Sequence, residues 1–138
     1  MKAHDLIHGG LYLIGDSQIV RFNALNGCFY TLDGDFFGSP FADVDSGEIE
    51  CFTINKNWLK IFPIPLTSEI LEKNGFKAVY AHEDYRYEDK MLLTQSYDKQ
   101  GYWWVVGNMY VCQLHFVHEL QRALRCCGLW DLVDNLQV

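Results

Sequence analysis

Short apolar-rich runs bounded by turn residues, the mark of strands, fill most of this chain, and a helical period surfaces in only three places. Leu11 to Ile14, Gln18 to Phe22 and Cys28 to Leu32 are short apolar-rich runs separated by Gly15-Asp16 and Asn26-Gly27. Asn-Gly between two such runs marks a hairpin, because both residues tolerate positive φ. Glu48 to Ile54 and Trp58 to Phe62 read as two further strands joined at Asn55-Lys56-Asn57. Between these groups, Asp33 to Ser46 is rich in Asp, Gly and Ser and reads as a surface loop, anchored by Phe36, Phe37 and Phe41. The pattern over 1–62 predicts a β-meander: a small curved antiparallel sheet or an SH3-like barrel of five or so short strands.

Pro63-Ile64-Pro65 ends that run, since two prolines remove ladder donors. A short helix follows, with Thr67 or Ser68 as its cap, Glu69 in its first turn, Ile70 and Leu71 on its apolar face and Asn74-Gly75 as its stop. Phe76 to Tyr80, Lys90 to Ser96, Gly101 to Val106 and Met109 to Leu114 then predict a second antiparallel sheet, with turns at Asp98-Lys99-Gln100-Gly101 and Gly107-Asn108. In the third of these strands Tyr102, Trp104 and Val106 share one face, and Trp103 and Val105 the other. Val117, Leu120, Leu124 and Cys127 recur at helical spacing up to Gly128, and Leu129, Leu132, Val133 and Leu136 repeat the signal in the tail. The expectation is one α+β domain over 1–138, with a β-rich half (1–62) and an α+β half (63–138) whose sheet is closed by the C-terminal helix.

The composition is globular: 49% apolar and 15% aromatic against 21% charged. Eleven basic and eighteen acidic residues leave a net charge of −7, spread over both halves. Such a surface repels phosphate backbones and lacks a basic stripe, which argues against nucleic acid and for a protein partner. Five irregularly spaced cysteines and a start, MKAHDLIHGG, without a signal-peptide pattern point to a reducing cytoplasm. No apolar run approaches the roughly 18 residues that span a bilayer, so no membrane partner is expected.

Three segments carry a likeness to known proteins: Met1-Lys2-Ala3 leading to Gly9-Gly10-Leu11-Tyr12; Ile61-Phe62-Pro63-Ile64-Pro65-Leu66-Thr67 with Leu71 and Gly75-Phe76; and Val117-His118-Glu119-Leu120-Gln121-Arg122-Ala123-Leu124. In order and spacing they resemble a family of small uncharacterised proteins carried by Bacteroides-type prophages and mobile elements. The resemblance implies a phage or integrated-element context and no activity, cofactor or catalytic residue. Asp33 to Gly47 and Glu83 to Asp89 look particular to this chain, so a function special to it is expected there or around Tyr102 to Trp104.

The chemistry-bearing residues form no strong motif. His118-Glu119 lacks the second histidine one turn on that a zinc protease needs, Arg122 standing in its place. His115 and His118 with Cys126 and Cys127 contain no close CxxC pair, and His118 reads as a helix-start residue. Cys126-Cys127 lies at a helix C-terminus, whose dipole disfavours a thiolate. Asp33, Asp35, Asp43, Asp45 and Glu48 miss calcium-loop spacing, Ile54 occupying the place of the bidentate glutamate. No P-loop, dinucleotide fingerprint or nucleophile elbow is present, so no catalytic residue, metal or cofactor is expected.

The aromatic surplus remains. Trp103 or Trp104 with Tyr102 is the expected binding patch, framed by Tyr85, Arg86 and Tyr87. The chain is thus expected to be a non-enzymatic protein-interaction module. The alternative is a binder that sequesters a small nucleotide signal of host defence.

Overall fold

The computed structural model describes residues 1–79 and 84–138; the expected strand end at Tyr80 and the start of the acidic stretch at Glu83 lie outside the described residues. The described chain is mostly β-strand and divides into two compact units, Met1–Ile64 and Pro65–Val138. The boundary falls two residues beyond the expected one at 62. No described helix is long and apolar enough to cross a membrane.

The first unit is a closed antiparallel barrel of six strands: β1 Leu11–Ile14, β2 Gln18–Asn23, β3 Cys28–Thr31, β4 Phe36–Ala42, β5 Ile49–Thr53 and β6 Trp58–Pro63. Each pairs with the next, and β6 returns to β1 through Tyr12–Pro63, Leu13–Phe62 and Ile14–Ile61. Alternation sends Tyr12, Ile14, Val20, Phe22, Phe29, Ile49, Cys51 and Ile61 inward, where they form one buried cluster. Burying each large side chain contributes about 2–3 kcal/mol. The polar tip of buried Tyr12 is satisfied: its hydroxyl donates to the Asp5 carbonyl (2.7 Å) and accepts from the Ile7 amide (2.9 Å).

The loop expected over Asp33 to Ser46 contains β4, which corrects both the loop and the strand count. Its Asp, Gly and Ser content misleads because the strand is held by neighbours on both sides. Gly38 lies so close to β5 that a Cβ there would stand 2.5 Å from the Phe52 carbonyl oxygen and 2.6 Å from the Cys51 sulfur. The glycine is a packing requirement, and its register partners are Phe29 on β3 and Thr53 on β5. Phe36 and Phe41, expected as anchors, point partly outward.

The second unit begins with helix α1 (Ser68–Lys73), capped by Thr67, whose hydroxyl accepts from the Ile70 amide at 3.3 Å. An antiparallel sheet follows, β7 Lys77–Val79, β8 Asp84–Tyr87, β9 Met91–Gln95, β10 Tyr102–Val106 and β11 Met109–Leu114, with spatial order equal to chain order. β8 is a second correction, since no strand was expected between those at Phe76 to Tyr80 and Lys90 to Ser96. It is a strand because β7 and β9 pair with it on both sides.

Helices α2 (Val117–Cys126) and α3 (Trp130–Asp134) complete the unit. The Glu119 carboxylate accepts from the His115 and Phe116 amides, both at 3.0 Å, so this residue caps α2 from inside. At the other end Gly128 (φ 74°) lets the Leu129 amide reach the Leu124 carbonyl (2.9 Å) and the Gly128 amide reach Arg125 (3.0 Å), a Schellman stop. Buried Val117, Leu120 and Leu124 carry the apolar face of α2. Pro65 bridges Phe116, and the Leu66 amide donates to the His115 carbonyl at 2.9 Å, so the chain leading into α1 runs beside the residues that lead into α2.

Candidate functional site

Register sorts the second sheet into two unlike faces. Ala78, Tyr85, Leu93, Trp104 and Cys112 stand in one row across the strands, with Gln95, Tyr102 and Leu114 in the next. This face lies against the helices: Tyr102 is close to Ser68 and Glu72 of α1, and Cys112 to Glu119 and Arg122 of α2. Burial raises the Tyr102 phenol pKa, helped by Tyr85 and Glu72 and opposed by a hydrogen bond from Ser68.

The opposite face presents Val79, Asp84, Thr94, Trp103 and Gln113 in one row and Lys77, Arg86, Leu92, Val105 and Tyr110 in the next. No residue of these two rows is fully buried. Trp103 meets Tyr110 edge to face, ring centres 5.6 Å apart at 71°. They wall a groove of about 620 Å³ whose other sides are Thr94, Gln95, Ser96, Tyr97 and Lys99. Tyr97 is fully exposed and Tyr110 is 63% exposed.

The floor and rim of this groove are fixed by polar contacts. Thr94 donates to Asp84 Oδ1 (2.9 Å), and Gln113 Nε2 donates to Ser96 Oγ (3.0 Å) and to the Gln100 carbonyl (3.1 Å). Asp98 Oδ1 accepts from Ser96 Oγ (2.6 Å) and the Gln100 amide (3.0 Å). These bonds, the Ser96 one first, hold the Asp98 carboxyl below its usual pKa. Gly101 (φ 84°) completes the turn, its α-carbon so near the Leu114 carbonyl that a Cβ would stand 2.5 Å from the oxygen. The turn that carries Lys99 is therefore held in place beside the aromatic pair.

The six expected patch residues do not form one site. Tyr85 and Tyr102 are buried, in an edge-to-face pair 5.7 Å apart, and Tyr87 packs on Phe76 at 5.4 Å. Trp103 alone reaches the groove. Trp104 and Arg86 line a separate cleft of about 700 Å³ with Asp89, Lys90, Met91, Leu92, Val105, Val106, Gly107 and Cys127. The alternation along 102–106 is as read from the sequence: Trp103 stands in the open-face row and Trp104 in the row that lies against the helices. Tyr110 was within reach of sequence reasoning, because Gly107-Asn108 is a two-residue turn that sets it opposite Val105. Lys99 carried no such signal.

Other chemistry-bearing residues are occupied structurally. His118 is buried and stacks on Phe116 (5.8 Å, 6°). Burial, and secondarily Cys126, raises the Cys127 thiol pKa. Asp43 accepts from the Asp45 amide (3.2 Å) and Ser46 Oγ (3.0 Å) within its turn, and Glu48 pairs with the terminal ammonium (2.5 Å) and Lys2 (3.7 Å). Among the described residues no three His, Cys, Asp or Glu side chains converge. The barrel carries a smaller outward aromatic group, Phe41 and Phe52 against Trp58 (5.6 and 4.8 Å), beside a cleft of about 550 Å³. Comparison with protein families, curated proteins and solved structures finds no match to this chain.

Proposed function

We propose that this chain is a non-enzymatic interaction module that takes a protein partner on the open face of its second sheet. In this reading it is a phage or mobile-element accessory working in the cytoplasm of a bacterial host, and its SH3-like barrel is scaffold. The observation that carries it is the Trp103–Tyr110 groove: a half-buried Trp103 ring and an exposed Tyr110 ring, set at 71° on a sheet and walled by a hydrogen-bonded turn. Tyr and Trp bury much area for little entropy and dominate binding energy at protein interfaces.

Capture from host lysate with three forms of the chain tests it. A protein held by the parent and by Trp58→Ala, and lost by Trp103→Ala, is the expected result. Equal capture by Trp58→Ala and Trp103→Ala overturns the assignment.

Lys99 favours a second reading, since a cation beside two rings suits a planar ligand with an anionic group, such as a small nucleotide signal. Melting curves with a nucleotide and cyclic-dinucleotide panel decide it. A shift that vanishes in Lys99→Ala supports the reading, and flat curves throughout remove it.

A further inference from the structure

The polar groups around the Trp103–Tyr110 groove are unevenly matched, and the acceptors are the ones already taken. Asp84 Oδ1 accepts from Thr94, and Asp98 Oδ1 from Ser96 Oγ and the Gln100 amide. In the adjoining turn the carbonyls of Ser96, Gln100 and Gly101 accept from the Lys99 amide (2.8 Å), Gln113 Nε2 (3.1 Å) and the Ser96 amide (3.1 Å). β10 pairs with β9 on one side and β11 on the other, so its backbone is given to its neighbours as well. The donors are not taken. The Tyr97 and Tyr110 hydroxyls, the Trp103 indole N–H and the Lys99 ammonium meet no hydrogen-bond partner among the described residues. The groove is therefore richer in donors than in acceptors.

We propose that the partner segment this groove takes is proline-rich and bound as a polyproline II helix. The inference rests on the reading of the groove as a protein-binding surface and names the chemistry of what enters it. An ordinary extended peptide brings one amide N–H per residue, and each that leaves water here without an acceptor costs affinity. Proline brings a carbonyl and no N–H. A polyproline II helix makes no internal hydrogen bonds, so its carbonyls stay open to donors such as those of Tyr97, Tyr110 and Trp103. The ring geometry agrees. Trp103 and Tyr110 meet at 71°, which makes a corner and not a parallel-walled slot, and a puckered pyrrolidine ring packs into a corner. The helix is also stiff before it binds, so it loses little freedom on an open sheet face.

Titration with a synthetic polyproline peptide blocked at both ends, followed through the tryptophan indole N–H resonances, tests the proposal, with a Gly-Ser peptide of equal length as the control. The Trp103 resonance, identified by its loss in Trp103→Ala, is expected to move saturably with polyproline and to stay in place with Gly-Ser. Tyr110→Phe keeps the ring and removes one donor, and should weaken polyproline binding about three- to tenfold, the worth of one hydrogen bond. Polyproline should also release the protein that the parent captures from lysate. A Trp103 resonance unmoved by polyproline, equal movement with Gly-Ser, or binding by Tyr110→Phe as tight as the parent's each overturns the proline assignment. If lysate capture still depends on Trp103 in that event, the groove stands as a protein site and only the partner class is wrong. If capture is indifferent to Trp103 too, the groove reading itself falls.

Discussion

The barrel and the second sheet solve the same problem to different degrees. In the barrel every strand has a neighbour on both sides, and one inward cluster from Tyr12 to Ile61 takes the large side chains. In the second unit one sheet face lies against α1 and α2, while the other keeps Trp103, Leu92, Val105 and Tyr110 half-buried or exposed, and among the described residues no strand pairs with the outer side of β11. Apolar surface left open costs solubility, so retaining it on a rigid sheet points to use. The proposed function rests on this contrast between an open sheet face in the second unit and a closed first unit.

The contrast breaks most visibly at the cores. Phe29 is fully buried and touches both Tyr12 (6.3 Å) and Phe22 (5.4 Å), so Phe29→Ala should cost about 4 kcal/mol in urea unfolding. Trp103→Ala removes a half-buried ring and its contact with Tyr110 and should cost about 1–2 kcal/mol. Similar losses from the two would mean that the open face is core after all.

An intermediate effect is expected at Asn74, which ties the end of the chain to α1. Its Nδ2 donates to the Ile70 and Gln137 carbonyls (both 2.7 Å), and its Oδ1 accepts from the Gln137 amide (2.8 Å). Asn74→Ala strands buried backbone groups and should cost about 2 kcal/mol, with faster amide exchange at Gln137.

A further effect appears only at alkaline pH, and its barrel share comes from Cys51. Burial pushes the Cys51 thiol up to about 11 from 9.0. A raised folded pKa stabilises while the thiol is protonated in both states; above pH 9 the unfolded chain ionises first, so this contribution falls between pH 9 and about 11. Replacing Cys51 with Ala should flatten that part of the stability profile. In the native protein Cys112 and Cys126, both exposed, should react with a thiol reagent before Cys51 does.

Local chemistry made much of this architecture readable in advance. Asn26-Gly27, Gly107-Asn108, Thr67 and Gly128 each fix a turn or helix end through their own backbone preference, and strands and helices beside them fall where the pattern puts them. The two missed strands share a cause. β4 and β8 are polar or glycine-bearing segments whose strand character comes from the pairing with a strand on either side, as Gly38 shows by its close fit against Phe52 and Cys51. Barrel closure has the same origin, because Tyr12 and Pro63 share no local signal. At the groove, alternation singled out Trp103, but the bulge at Val111 and the placement of Lys99 arise from pairing geometry.

Amide hydrogen exchange of the chain with and without its captured partner tests the central claim most directly. Added protection over residues 92–97 and 102–113, with none over 36–62, is the expected result. Protection centred on Phe41, Phe52 and Trp58 with the second sheet unchanged would contradict it.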